Sequence, residues 1–238
     1  MKNLETFTAL KHKGKNLIFT TPNKFSEWRV KTLLTKEPCT IEWINSFNEK
    51  DIFWDVGANI GIYSIYAAIM IGCKVKSFEP ESFNYTSLTK NINANKLENL
   101  IQGYSIGIDD KSSVGYLGIN SFETASSGHI VNRDTSKFKQ GCLIFSIDDL
   151  IKLGFEQPTH IKINVDGLDY KIINGAKETL KSVKSVLIEL DTSNKEHMYV
   201  PNIMLDLGFT FDQDQVDLTA RKKGDNFESS REYIFIKG

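Results

Sequence analysis

Two carboxylates and a pair of glycines stand where an α/β protein does its ligand chemistry. In Asp51-Ile-Phe-Trp-Asp-Val-Gly-Ala-Asn-Ile-Gly-Ile-Tyr-Ser64, Asp55 closes an apolar run and Gly57 and Gly61 punctuate a turn. Ile62, Ile65, Tyr66 and Ile69 then recur with helical spacing. A Gly-rich turn between a strand and a helix is where open α/β sheets hold the nucleotide part of a ligand. Glu79 ends the next apolar run, 18 residues after Gly61. From that position an acid accepts hydrogen bonds from ribose hydroxyls, and its charge repels a 2′-phosphate.

The details of the turn select the nucleotide. A pyrophosphate binder wants G-x-G-x-x-G, but Asn59 occupies the middle Gly position and the turn reads G-x-x-x-G. The charge of Asp55 beside the ligand is poor for a pyrophosphate and good for an ammonium group. S-adenosyl-L-methionine (SAM) carries an ammonium and no phosphate, so SAM is the expected cofactor and a nicotinamide dinucleotide is disfavoured. The expected cofactor-binding set is Asp55, Gly57, Ala58, Asn59, Gly61, Glu79, Pro80, Ser105 and Asn164.

Methyl transfer is an in-line displacement, so a protein must position the acceptor and remove a proton if the acceptor is an alcohol. In a doubly wound sheet the acceptor meets the cofactor beyond the C-terminal strand ends. Asn164 and Asp166 follow one expected strand there, and Glu189 and Asp191 follow another. Asp166 can serve as a base or as a helix cap. His129, in a polar segment, can take a proton near neutral pH. The candidate catalytic residues are therefore Asn164, Asp166 and His129. Lys162 is placed to reach a carboxylate along the sheet or to snorkel, and His160, at the wrong end of its strand, reads as structural. Asp166, Asp169, Glu189 and Asp191 could together offer oxygen ligands to Mg²⁺, but acids are common at strand ends and no metal is expected.

These residues resemble a known family. Asp55-Val-Gly-Ala-Asn-Ile-Gly-Ile-Tyr-Ser64 is similar to the D-[VI]-G-A-N-x-G-x-Y-S turn of the FkbM-type methyltransferases. Phe78-Glu-Pro80, followed by Asn84, Leu88, Asn91 and Asn95, resembles its F-E-P…N-x-x-x-L-x-x-N-x-x-x-N run. Ile161-Lys-Ile-Asn-Val-Asp-Gly167 and Ile173-Asn-Gly-Ala176 resemble its I-K-I-D-[VI]-[DE]-G and L-x-G-A segments. Asn164 departs from the family's usual Asp, and Asp169 from its frequent Glu. The resemblance implies a SAM-dependent methyltransferase acting on oxygen of a sugar, sugar nucleotide or other glycan- or capsule-pathway metabolite. N-methylation, methylation of a phosphorylated small molecule, and a SAM-binding partner without catalysis stay open.

The elements that must position these groups alternate. Strands at 52–54, 75–78, 100–104, 161–165 and 186–190 are separated by helices, including 83–95, one from Ser146, and 170–181, which predicts a mostly parallel Rossmann-like sheet. A helix over 194–207 and two late strands, 210–211 and 233–236, predict a C-terminal antiparallel hairpin of the class I methyltransferase kind. Residues 1–50 read as a small N-terminal extension of mainly helical character, with a short strand at 16–20 and helices at 26–34 and 40–47. Residues 51–238 read as the methyltransferase domain. Residues 114–119 and 142–145 predict an antiparallel pair flanking a polar segment, 121–140, expected to be a mobile flap over the acceptor.

With 238 residues, 40% hydrophobic content and a net charge of −1, the chain can bury roughly 70–75% of its unfolded surface. The charge balance points to no nucleic-acid partner. No apolar stretch is long enough to insert into a membrane, and no secretory signal is evident. Cys39, Cys73 and Cys142 read as free thiols in a reducing cytoplasm. The Lys, Asn and Ile usage hints at a bacterial source. The expected partner is a small-molecule acceptor, carbohydrate or nucleotide-linked, with homo-oligomerisation open.

Overall fold

A computed structural model describes residues 6–131, 138–165, 167–221, 224 and 228–238. The chain opens with β1 (Phe7–His12) and β2 (Lys15–Thr20), an antiparallel pair. Lys13 (φ 45°) and Gly14 (φ 79°) make its two-residue turn, both left-handed as a tight hairpin of matching twist requires. The extension is thus not simply helical. Its first strand escaped notice because it is half exposed and barely patterned.

Helix α1 (Lys24–Thr32) starts from Asn23, whose side chain accepts from the Ser26 amide in a capping box. Pro38 opens α2 (Pro38–Asn45), where a missing N–H costs nothing.

The alternating part follows: β3 (Ile52–Val56), α3 (Ile62–Met70), β4 (Lys74–Phe78), α4 (Ser82–Ala94) and β5 (Ile101–Tyr104). Four short strands come next: β6 (Gly107–Ile108), β7 (Ser113–Ile119), β8 (Ile130–Val131) and β9 (Phe138–Phe145). They form a separate sheet ordered β6-β9-β7-β8, with β7 and β9 antiparallel as expected. The main fold resumes with α5 (Ile147–Lys152), β10 (His160–Ile163), α6 (Asp169–Asn174) and β11 (Ser185–Asp191). It ends with α7 (Val200–Asp206), β12 (Phe209–Thr210), α8 (Gln213–Leu218) and β13 (Ser230–Lys237).

The central sheet has the order β12-β13-β11-β10-β3-β4-β5. Every neighbouring pair is parallel except those made by β13, which runs antiparallel to both β11 and β12. The chain leaves β3 toward β4 and β5 on one side, then returns to β10 on the other. The crevice beyond the ends of β3 and β10 is therefore a switch point, where open sheets bind ligands.

Alternation along β3 splits the core in two. Phe53 packs with Ile65, Tyr66, Leu88, Phe19 and Val30 on one face, and Trp54 with Ile147, Ile172, Leu180 and Met204 on the other.

Three expected elements differ in detail. The helix predicted over 170–181 stops at Gly175, where the 109–110 backbone passes so close that a Cβ would lie 2.7 Å from the Asp109 carbonyl; a 3₁₀ turn, Thr179–Lys181, completes the span. The helix predicted over 194–207 becomes a 3₁₀ turn and α7, with Pro201 in the first turn of α7. The late strands do pair, but α8 stands between them; its polar run buries only Val216 and carries no apolar period. His160 opens β10 and is structural, stacked on Phe47 (3.8 Å between centroids) and bonded to Ser185 Oγ and Asp51. Among the described residues no helix is long and apolar enough to cross a membrane.

A row of asparagines on α4 fastens the extension to this frame. The Asn91 side chain is fully buried: its oxygen accepts from the Thr20 amide (2.7 Å) and hydroxyl, and its nitrogen donates to the Ile60 carbonyl (2.7 Å). One turn on, Asn95 brackets Ile18 in the same way, through both its amide and its carbonyl. Asn91→Ala leaves a buried amide and a buried carbonyl without partners, each costing about 1–3 kcal/mol. The expected loss of unfolding free energy is about 2–4 kcal/mol in urea titration, against less than about 0.5 kcal/mol for the surface change Asn93→Ala. Equal midpoints for the two variants would refute the bracing role.

Candidate active site

The turn after β3 is shaped by its neighbours. The Gly57 and Ala58 amides both donate to the Phe78 carbonyl (3.0 Å each), which ties the turn to the end of β4. Gly57 has φ +79°, and a Cβ there would lie 2.0 Å from the Asn164 carbonyl oxygen. Only glycine lets the turn pass so close to the exit of β10. Gly61 (φ +80°) meets Leu88 of α4 in the same manner, at 2.4 Å from Cδ1. Asn59, at the middle position, takes a left-handed φ of 52°, which Asn tolerates by bonding locally. Its side chain accepts from the Ile60 amide and donates to the Ser126 carbonyl (2.8 Å).

These groups line a cleft of about 1080 Å³ whose wall includes Gly57, Ala58, Asn59, Glu79, Pro80, His129, Lys162 and Asn164. Glu79 is buried, and its two oxygens accept from the Asn59 amide (2.7 Å) and the Glu81 amide (2.8 Å). An ionised carboxylate offers about four acceptor sites, the kind of group that ribose hydroxyls donate to.

Asp55 stands behind the turn and off the cleft wall. It is 1% exposed; Oδ2 accepts from Ser64 Oγ (2.6 Å) and Oδ1 is buried with no hydrogen-bond partner among the described residues. Burial raises its pKa, against the charge of Lys162 and the bonds from Ser64. Its expected direct contact with a ligand becomes an action at one remove, through the turn. Gly61 likewise shapes the turn without facing the cleft. Ser105, expected as a cofactor ligand, is exposed and outside the wall; Ile106, Gly107 and Ile108 after it reach the cleft.

Asn164 sits at the exit of β10. Its amide donates to the Val56 carbonyl (3.1 Å), and its side-chain nitrogen donates to Glu189 (3.0 Å), which also accepts from Arg221 (3.0 Å). An Asp here could not donate to Glu189, which gives the departure from the family pattern a physical reason. Asp166 lies outside the described residues. Asp169 accepts from the Val165 and Gly167 amides (3.1 Å each). Burial pushes its pKa up to about 7 despite those two amides. Asp191 is bonded to Ser193 and Glu189 is committed as above. Among the described residues no group of three His, Cys, Asp or Glu side chains is arranged to hold a metal.

His129 lines the cleft, with Nε2 2.7 Å from Ser126 Oγ. The segment expected as a flap is only partly described; 132–137, including Arg133, lie outside. Residues 124–126 are pinned by Asn23, Arg29, Asn59 and both ends of the Asn84 amide, so this part is a fixed roof.

Sequence reasoning missed the groups contributed by the extension. Glu37 lines the cleft, accepts from the Tyr63 hydroxyl and pairs with Lys36 at 2.5 Å. Burial alone would raise its carboxyl, but the charges of Lys36 and Lys162 and its two hydrogen bonds hold it down, to about 2. Lys162, 2% exposed, sits 5.0 Å from the Tyr63 ring centroid and faces Glu37 and Asp55. No local pattern marks Glu37; only the fold brings it to the sheet.

Asn164→Asp would set two carboxylates in contact at the Glu189 position and raise their shared folded pKa. Relative to the parent, stability is then intact below about pH 4, the ordinary Asp value. It is lost as pH rises toward the raised folded value, with an expected deficit of about 1–3 kcal/mol at pH 8. Urea titrations near pH 4.5 and pH 8 check this. A deficit independent of pH would show that Glu189 is not the partner.

Comparison with known proteins agrees with this geometry. The Methyltransferase FkbM domain matches residues 55–211. The hexuronic acid methyltransferase AglP of Haloferax volcanii is 25% identical over 174 residues, covering 72% of this chain and 69% of that protein. Two solved structures share the fold. Methyltransferase FkbM from Methylobacillus flagellatus has a TM-score of 0.53 at 14% identity, covering 89% of this chain and 55% of that one. Precorrin-6y C5,15-methyltransferase from Geobacter metallireducens has a TM-score of 0.51 at 10% identity, covering 85% and 87%. With the family's turn, its acid after β4 and its sheet order in place, the chain belongs to the FkbM methyltransferases and is a SAM-dependent enzyme.

Proposed function

We infer that the enzyme methylates a hydroxyl oxygen of a saccharide, a sugar nucleotide or another glycan-pathway metabolite in the cytoplasm. The observation that carries this reading is the continuity of two spaces. The cofactor cleft opens into a second groove of about 1860 Å³, and Arg29, Thr32, Lys36, Glu37, Ser127 and Asn164 line both. A groove that meets the cofactor cleft at the exit of β10 is where an acceptor has to stand. The hexuronic acid methyltransferase among the relatives supports a sugar acceptor.

SAM, when bound, supplies a methyl carbon on a positively charged sulfur. The residues of the chain do the rest. Gly57, Ala58 and Asn59 give a backbone wall, and Glu79 accepts hydrogen bonds from the ribose hydroxyls. Asn164, locked by Glu189, orients the acceptor oxygen. That oxygen would take up the methyl group that SAM supplies, and its proton would pass to Asp166 or His129. Holding the reactants in line supplies up to roughly 7–11 kcal/mol of the barrier.

Thermal denaturation with SAM and S-adenosylhomocysteine (SAH), followed by methyl transfer to nucleotide sugars and phosphorylated metabolites, tests the reading. A ligand at 100 times its Kd adds about 2.7 kcal/mol, or several degrees for a chain of this size at roughly 2–4 °C per kcal/mol. Tight SAH binding with no transfer to any such acceptor would defeat the proposal.

Glu79→Ala is expected to weaken SAH binding at least about tenfold in calorimetry, since each charge-assisted hydrogen bond is worth about 1.5–3 kcal/mol. Unchanged affinity would remove the ribose role. Asn164→Ala should lower kcat/KM while the pH–rate profile keeps an ionisation that disappears with Asp166→Asn or with His129→Gln. Full activity of Asn164→Ala would take it out of the site, and an ionisation surviving both base variants would point to another base.

A further inference from the structure

The acceptor groove has an unusual wall. Phe25 and Trp28, on α1, are 37% and 43% exposed, and their rings stack with centroids 5.7 Å apart and planes within 8°. Both line the groove. Arg29 lies 5.1 Å from the Phe25 ring and Lys36 5.9 Å from the Trp28 ring. Cations over the rings at these distances are attracted to them and bring positive charge to the pair. Exposed apolar surface rimmed by polar groups marks a binding site more often than a chance patch.

The charges of the groove do not cancel. Arg29, Lys36, Arg221 and Arg231 line it, against Glu37, Glu189 and Glu232. Lys36 pairs with Glu37 and Arg221 with Glu189. Burial, then the charges of Glu37 and Glu189, raise the Glu232 carboxyl to about 8, so near pH 7 it is largely uncharged. Arg231 donates to the Glu228 and Ser230 carbonyls and pairs with no carboxylate among the described residues. An aromatic pair and several cationic side chains thus line one groove.

We propose that this groove selects an anionic saccharide, its ring lying on the Phe25–Trp28 face and its carboxylate or phosphate meeting the groove's arginines, led by Arg231. The flat pair matches the C–H face of a pyranose, and guanidinium forks match planar or tetrahedral anions better than neutral hydroxyls. This rests on the saccharide O-methylation reading and adds the charge of the substrate and the residues that read it.

The fold supplies a reporter. Trp43 and Trp54 are 5% and 0% exposed, so acrylamide quenching of the tryptophan fluorescence reads Trp28. The full chain saturated with SAH is titrated with glucuronate, with glucose 1-phosphate and with glucose. At least one acidic sugar should bind about tenfold or more tighter than glucose and shield Trp28 from acrylamide. Preference for glucuronate assigns a carboxylate, and preference for glucose 1-phosphate a phosphate; either supports the proposal. Trp28→Ala and Arg231→Gln should each weaken that binding about tenfold, with SAH affinity unchanged. Trp28→Phe, which keeps a stacked pair, should stay within about threefold of the parent, as expected if the flat face is what counts.

Glucose binding as tightly as the acids, acid binding that leaves Trp28 quenching untouched, or no binding of any probe would overturn the proposal. The underlying reading fails separately: shielded acidic sugars that never accept a methyl group would defeat saccharide methylation for those compounds and leave the groove assignment standing.

Discussion

The site depends on one helix satisfying backbone that is not its own. Asn84, Asn91 and Asn95 of α4 spend their amides on the 124–126 roof, the glycine turn and β2. Each of those pieces is irregular or at an edge, and each would otherwise bury unpaired amides and carbonyls at a cost comparable to a lost hydrogen bond. An asparagine suits this work because it donates and accepts from one planar group. Leu88 of the same helix meets Gly61, so the row that pins the loops also sets how closely the turn approaches. Cofactor cleft, roof and extension are thus held in register by a single element.

Around that frame the acids near the cleft are each treated differently. Glu79 is held by backbone amides, Glu37 by Lys36, Lys162 and Tyr63, and Glu232 by the charge of Lys162 and the Thr40 hydroxyl, which burial and its neighbouring acids outweigh. Asp55 is buried behind the turn with one oxygen unbonded among the described residues. Burial raises a carboxyl unless donors or cations answer it, so this small region holds carboxyls of contrasting charge near neutral pH. Asn164 fits the same logic. Next to Glu189 an amide supplies a donor where a further carboxylate would add repulsion.

Local sequence carries a good deal of this. The strand–turn–helix around Gly57, the acid after β4 and the β7–β9 pair were legible because their periodicity and punctuation are local, and the asparagine row stood out only through the family resemblance. Other features were not legible. The exposed strand β1 and the polar helix α8 bury too little for a pattern to show. The helix over 170–181 ends at Gly175, against a loop more than 60 residues earlier in the chain. Ser105 sits beside the right strand, yet the chain turns into the cleft one residue later.

By itself the sequence determined the alternation of strands and helices, the glycine turn and the choice of a SAM-type cofactor over a dinucleotide, because each rests on residue types at short spacing. Only the tertiary structure decided which side chains meet across that turn. It brought Glu37 and Trp28 from the extension, Ser127 from beside the roof, Arg221 from beyond α8 and Glu232 from β13 to one groove. It also moved Asp55 behind the wall. Such meetings are set by strand order and by how closely packed backbones approach, and neither is written in any single stretch of residues.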